Sequence, residues 1–167
     1  GTADWRALFM PTATQSLAGY AATRRHVVLN VLDDVASRLQ AWQHDSRSGR
    51  WTWHAVDAPF PGTLGVASWH DPQVPDDPLA EACAVSYTDF LTPDTLYLAH
   101  AGDGGRGGLE KLKARPAYFD AGGMRVEQRF ARSKDGTRVP YFVVWPRGAR
   151  ADGNNPTLLY GYGGFEQ

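Results

Sequence analysis

The chain has 167 residues, of which 43% are hydrophobic and 21% are charged, so its composition excludes disorder as the overall state. Lys and Arg number 17 against 18 Asp and Glu, which leaves no basic excess for nucleic acid. No apolar run reaches the roughly 18 residues of a membrane span. The single cysteine, Cys83, excludes an internal disulfide and a cysteine-built zinc site. Aromatic residues at 12%, with 18 Gly and 11 Pro, indicate a globular chain of short strands and turns.

The first 56 residues predict a four-stranded antiparallel sheet. Short apolar or alternating segments follow one another closely, and period-2 alternation is typical of half-buried strands. Asp33 and Asp34 supply turn chemistry between the second and third segments. The predicted strands are 16–23, 26–32, 37–43 and 51–56.

The same pattern recurs once more along the chain. Its strands are predicted at 63–69, 83–88, 95–100 and, more weakly, 109–113. A four-stranded unit repeated at about 40–55 residues is typical of β-propeller blades. We therefore expect two blades, from Leu17 to Val56 and from Thr63 to Lys113.

The character of the sequence changes after Pro116. Residues 124–132 alternate strictly, Asp135-Gly136 favours a tight hairpin turn, and residues 139–145 form the return strand. The continuous apolar run 156–160 predicts a third strand, covered on both faces inside an α/β sheet. The chain then ends in a Gly-rich segment with no helix after it, which predicts a piece of a longer polypeptide.

Two motifs in this region carry a resemblance to a known family. Residues 133–140 (SKDGTRVP) and 160–165 (YGYGGF) resemble the start of the α/β-hydrolase domain in the prolyl oligopeptidase family of serine peptidases. Residues 86–93 (SYTDFLTP) are similar to the last propeller blade of that family, and the region from Val31 to Leu39 to the blade before it.

The resemblance implies a mainly β architecture in two parts. Residues 1–115 would form about the last two blades of a β-propeller. Residues 116–167 would form the crossover and the N-terminal strands of an incomplete α/β-hydrolase (peptidase) domain.

The resemblance also assigns two site residues. Tyr162 matches a family tyrosine whose hydroxyl helps to form the oxyanion hole, where a fixed O–H stabilises a tetrahedral intermediate. Phe165 matches a residue that lines the substrate-binding pocket. The alternative for both is structural, an aromatic at a strand end or in the core. Gly161, Gly163 and Gly164 lack the order of a nucleotide-binding loop, so we expect a sharp turn that exposes Tyr162.

The remaining polar candidates favour ordinary structural roles. The five histidines are scattered, and we expect each to be hydrogen-bonded or solvent-facing rather than a metal ligand. Cys83 lies in an apolar strand and is expected to be a buried, inert thiol. We predict no metal and no cofactor. The serine of a G-x-S-x-G motif is absent from the 167 residues, so the catalytic triad is expected outside this chain.

The family implies a serine-type endopeptidase or oligopeptidase that cleaves short peptides, with proline specificity favoured by Gly164-Phe165. Two alternatives remain: an oligopeptidase B-like branch with basic-residue specificity, and a β-rich binding module without catalysis. The expected partner is a short peptide, with neither nucleic acid nor membrane. Open blade edges predict self-association. The sequence leaves the compartment unassigned.

Overall fold

The structure is a computed structural model that describes residues 5–58, 62–103 and 108–163. It is mainly β, with ten antiparallel strands and no α-helix in the described ranges. The first sheet contains β1 (Gln15–Ala22), β2 (His26–Asp33), β3 (Ala36–Asp45) and β4 (Arg50–Val56). The second sheet contains β5 (Thr63–Ser68), β6 (Ala82–Thr88), β7 (Thr95–His100) and β8 (Glu110–Ala114). A separate hairpin is formed by β9 (Arg125–Arg132) and β10 (Arg138–Trp145).

Both four-stranded sheets have simple up-and-down order, because each strand pairs with its neighbour in the chain. Short connections join strands within the first sheet, whereas a 13-residue loop joins β5 to β6. A 3-10 turn at Ala101–Asp103 follows β7. Among the described residues, none of the helical segments has the length and apolarity needed to cross a membrane.

The core lies between the two sheets. Alternation on β2 and β3 turns small and medium apolar side chains toward the second sheet, where Val28 and Ala41 pack with Cys83. A second cluster joins Leu39 of β3 to Val85 and other residues of the second sheet. These contacts bury one face of each sheet and hold the two sheets together.

Two side chains of the first sheet form hydrogen bonds with the backbone of the edge strand β5. Asn30 donates from Nδ2 to the carbonyl oxygen of Leu64 at 2.7 Å, and the Ser37 hydroxyl accepts the Leu64 N–H at 3.2 Å. Both side chains are buried. The backbone of an edge strand is thus hydrogen-bonded without a further strand.

The prediction of a strand at residues 156–160 is wrong. No strand is present there, and Leu158 and Leu159 are 91% and 94% exposed. A strand covered on both faces requires neighbours that accept its backbone hydrogen bonds and cover its side chains. No described residue pairs with this segment, so apolar composition by itself does not make it a strand.

Candidate functional site

Tyr162 lies in the irregular segment that follows the hairpin. Its side chain is 62% exposed, and its neighbour Tyr160 is also exposed. The Tyr162 hydroxyl is therefore accessible to a reacting group that the described residues do not themselves supply. Gly164 and Phe165, the last two residues of the motif, lie outside the described ranges.

The sharp turn expected at these glycines is absent from residues 161–163. Neither Gly161 nor Gly163 has a positive φ, and a Cβ atom at either position would meet no atom within 4 Å. Neither backbone strain nor close packing therefore requires glycine at these two positions in this structure.

The hairpin turn that precedes the segment is present as predicted. Gly136 has φ +86, and the Ser133 N–H donates to the Thr137 carbonyl at 2.9 Å. Asp135 accepts hydrogen bonds from the Ser133 hydroxyl and from the Thr137 N–H. The Ser133 hydrogen bond, followed by that from Thr137, lowers the pKa of Asp135 to about 2. The SKDG motif therefore fixes the register of the hairpin.

A shallow groove of about 190 Å³ lies between the β6–β7 turn and the segment after β8. Phe90 and Leu91 line one side, and Tyr118 and Phe119 line the other. Arg115 and Asp94 form an exposed ion pair at its rim, with Nε and Oδ2 3.3 Å apart. The lining of the groove therefore combines aromatic and apolar side chains with polar and charged ones.

A buried tyrosine and a carboxylate fix the turn beside this groove. The Tyr87 hydroxyl donates to Asp89 Oδ2 at 2.5 Å, and Asp89 Oδ1 accepts the N–H groups of Leu91 and Thr92. Burial raises the pKa of Tyr87, and the hydrogen bond to Asp89 raises it further. Tyr87 is therefore a neutral donor that anchors the turn. The pair lies within residues 86–93 (SYTDFLTP), where an Asp two residues after a strand tyrosine is a recognisable turn signal.

His26 and Glu81 form a cluster where the two sheets meet. The buried His26 ring has Nδ1 2.7 Å from Glu81 Oε2, which also accepts the Thr23 hydroxyl at 2.8 Å. Arg25 donates from Nε to Glu81 Oε1 at 2.9 Å. Partial burial opposes the ionisation of Glu81, but the hydrogen bonds from His26, Arg25 and Thr23 outweigh it and lower the pKa below 4.5. The cluster is a structural ion pair between the sheets.

The other titratable candidates show no catalytic arrangement. Cys83 is buried, and burial, with a smaller contribution from the Glu81 charge, raises its pKa to about 11. A thiol in this state is a poor nucleophile at neutral pH. In the ranges described, no three His, Cys, Asp or Glu side chains lie close enough to hold a metal ion. Of the predicted site residues, the structure places only Tyr162, and none of the described residues lies beside it as a second catalytic group.

Comparison with known proteins identifies the class of protein. A curated relative, the uncharacterized peptidase y4nA of Sinorhizobium fredii, is 40% identical over 159 residues, which cover 95% of this chain and 20% of that protein. The prolyl endopeptidase of Elizabethkingia meningoseptica is 36% identical over 80 residues, 48% of this chain and 11% of that enzyme. A post-proline cleaving enzyme from Rickettsia typhi superposes with a TM-score of 0.64 at 27% identity, over 95% of this chain and 21% of that structure. No family model matches the chain.

These relatives are all peptidases, and the match to the Rickettsia structure extends through both sheets and the hairpin. The relatives of the chain are peptidases of the prolyl oligopeptidase family, as its SKDG and YGYGGF motifs predict. The chain spans about a fifth of the length of the Sinorhizobium peptidase.

Proposed function

We propose that this chain is a segment of a longer serine peptidase that cleaves short peptides after proline. The observation that carries the proposal is the match to a post-proline cleaving enzyme over 95% of the chain. The prolyl endopeptidase similarity over 48% of the chain supports the same specificity. The binding-module alternative has no support from these relatives, all of which are peptidases.

In this proposal the two four-stranded sheets are adjacent blades of a β-propeller, within residues 1–115. Their up-and-down order and face-to-face packing are the arrangement that neighbouring blades require. Residues 116–167 then begin the α/β-hydrolase domain, with the β9–β10 hairpin as its first two strands. The serine, aspartate and histidine of the triad lie elsewhere in the longer enzyme.

Tyr162 supplies an oxyanion donor in the proposed mechanism. When the serine oxygen adds to the scissile carbonyl, negative charge develops on the carbonyl oxygen, and the Tyr162 O–H donates a hydrogen bond to it. Such a donor stabilises the transition state more than the ground state, because the charge is largest there. Phe165 contributes an apolar wall to the pocket for the substrate side chain.

The test uses the longer protein that contains this chain. We expect a fluorophosphonate probe to label it at one serine, and a chromogenic peptide with proline before the scissile bond to be hydrolysed faster than its arginine counterpart. The 167-residue chain alone is the matched control and should be neither labelled nor active, because it has no activated serine. Preference for the arginine peptide would overturn the proline specificity, and stoichiometric labelling of the 167-residue chain would overturn the assignment of the nucleophile.

A further inference from the structure

The β9–β10 hairpin touches both sheets through their connecting turns. On the first sheet, Gln128 donates from Nε2 to the carbonyl oxygen of Asp34 at 2.5 Å, and Arg138 Nη1 lies 3.4 Å from Asp34 Oδ2. On the second sheet, the rings of Phe90 and Phe142 lie 5.8 Å apart between centroids. Asp34 belongs to the β2–β3 turn and Phe90 to the β6–β7 turn. The hairpin therefore spans equivalent connections of the two sheets.

One cross-strand pair makes both contacts. Gln128 and Phe142 are directly opposite each other in the hairpin register, so their side chains project from the same face. A hairpin held at these two points can rotate only about the line that joins them, and the contact of Arg138 with Asp34 opposes that rotation.

The turn of the first sheet is held in a rare backbone conformation. Asp34 and Val35 have φ of 48 and 65, which places a β-branched residue in the left-handed region. The Asp34 N–H donates to the Thr14 carbonyl at 3.0 Å, while the Asp34 carbonyl accepts from Gln128. Both backbone groups of Asp34 are thus fixed, and the carbonyl is aimed at the hairpin. Strain of this kind persists only where surrounding contacts determine the conformation.

The turn of the second sheet is equally well determined. Asp89 accepts the Tyr87 hydroxyl and the N–H groups of Leu91 and Thr92, which fixes the loop around Phe90. Phe90 itself is exposed apart from its contact with Phe142 and the neighbouring groove. An exposed aromatic ring on a rigid turn is suited to contact a neighbouring element rather than to fill the core.

We propose that the Asp34 and Phe90 turns form a two-point contact that sets the orientation of the hairpin relative to the two sheets. Gln128 and Phe142 are the positioning residues. An effect of this contact on catalysis in the longer enzyme rests on the proposed function, whereas the contact itself does not.

Hydrogen exchange of the full chain tests the contact without any activity. Gln128→Met removes the donor with little change of side-chain volume, and we expect amide exchange in 125–132 and 138–145 to accelerate about fivefold, as for the loss of one hydrogen bond. Exchange of 28–31 in the first sheet should stay constant. Gln128→Lys restores a donor and should return exchange to within about twofold of the unsubstituted chain.

The matched control is Gln43→Met, the same chemical change on an exposed position of β3. It should leave hairpin exchange unchanged. Equal amide exchange rates of the hairpin in Gln128→Met and Gln43→Met would overturn the contact. If hairpin exchange accelerates as much in Gln128→Lys as in Gln128→Met, side-chain volume rather than the hydrogen-bond donor determines the exchange rate. That result would also overturn the contact.

The effect of the contact on catalysis is tested in the longer peptidase. We expect Gln128→Met to lower kcat with KM within about twofold, because a shift of the hairpin that begins the proposed peptidase domain affects the transition state more than substrate binding. An unchanged kcat together with faster hairpin exchange would overturn the effect of the contact on catalysis. An inactive unsubstituted enzyme would refute the proposed function alone, since the exchange result does not depend on activity.

Discussion

Tyr162 is the residue through which the chain would act on a substrate. In the longer enzyme, we expect Tyr162→Phe to lower kcat by about 10²–10³-fold, the usual cost of losing one oxyanion donor. KM should change little, because the hydrogen bond strengthens as negative charge develops. Steady-state kinetics on a proline-containing peptide measures both values.

Tyr160→Phe is the matched control, since it makes the same change on an exposed tyrosine two residues earlier. It should leave kcat near that of the unsubstituted enzyme. If the two substitutions have small effects within about a factor of three of each other, Tyr162 has no role as a donor.

Glu81 makes folding of the chain sensitive to acid. Its pKa lies below 4.5 in the folded state, so the carboxylate contributes stability above the unfolded-state pKa and loses that contribution as the pH falls through the folded value. Thr23→Val removes one of the donors and should bring the pKa of Glu81 closer to its usual value. The acid unfolding midpoint, followed by circular dichroism, should therefore move to higher pH.

Thr52→Val makes the same change on an exposed position of β4 and serves as the control. Its acid midpoint should match that of the unsubstituted chain. Coinciding acid transitions for Thr23→Val and Thr52→Val would show that the Thr23 hydroxyl does not stabilise the Glu81 carboxylate.

At the scale of single elements, the edge of β5 depends on two side chains of the first sheet. Ser37→Ala leaves the buried Leu64 N–H without its acceptor, and we expect a loss of about 1–3 kcal/mol in the free energy of unfolding. Denaturant unfolding measures the loss. Ser46→Ala, in the exposed β3–β4 turn, is the comparison and should change stability by less than about 0.5 kcal/mol.

The β2–β3 turn carries strain that a substitution would relieve. Val35→Gly removes the side chain that disfavours φ of 65, and we expect a net gain of about 0.5–1 kcal/mol after the entropy cost of glycine. Thermal unfolding should show a higher Tm. Val139→Gly, at an exposed position inside β10, should instead lower Tm, because glycine weakens a strand interior. A lower Tm in both variants would show that the Val35 side chain does not strain the β2–β3 turn.

At the scale of the whole molecule, the outer face of the first sheet carries exposed aromatic side chains. Tyr20 and Trp53 are 67% and 51% exposed, and Trp42 stacks on Trp53 at 6.0 Å. This face lies opposite the one that packs on the second sheet. Exposed apolar patches of this kind favour association.

We therefore expect the isolated chain to self-associate in solution. Light scattering should give an apparent mass above that of the monomer and rising with concentration. Trp53→Lys should lower the apparent mass by placing a charge on the patch. Tyr118→Lys, an exposed aromatic near the groove, is the control and should leave it unchanged. A monodisperse monomer at high concentration would contradict the expectation.

The sequence by itself determined the elements whose causes are local. Apolar, β-branched or alternating segments predicted the strands of both sheets, and the Asp33-Asp34 and Asp135-Gly136 turns lie where turn chemistry indicates. The family motifs were also readable from the sequence, because SKDG and YGYGGF are short and contiguous. The prediction failed at residues 156–160, where an apolar run has the composition of a buried strand but no described neighbour to pair with.

Only the tertiary structure decided which distant residues meet. His26 and Glu81 are 55 positions apart, Asn30 and Leu64 are 34 apart, and Gln128 and Asp34 are 94 apart. Each pair forms because packing of the sheets and the hairpin brings the partners together, and no local pattern in the sequence encodes that distance. Backbone hydrogen bonds and side-chain alternation act between neighbours along the chain or across a short turn, whereas these contacts form only once the apolar faces are buried.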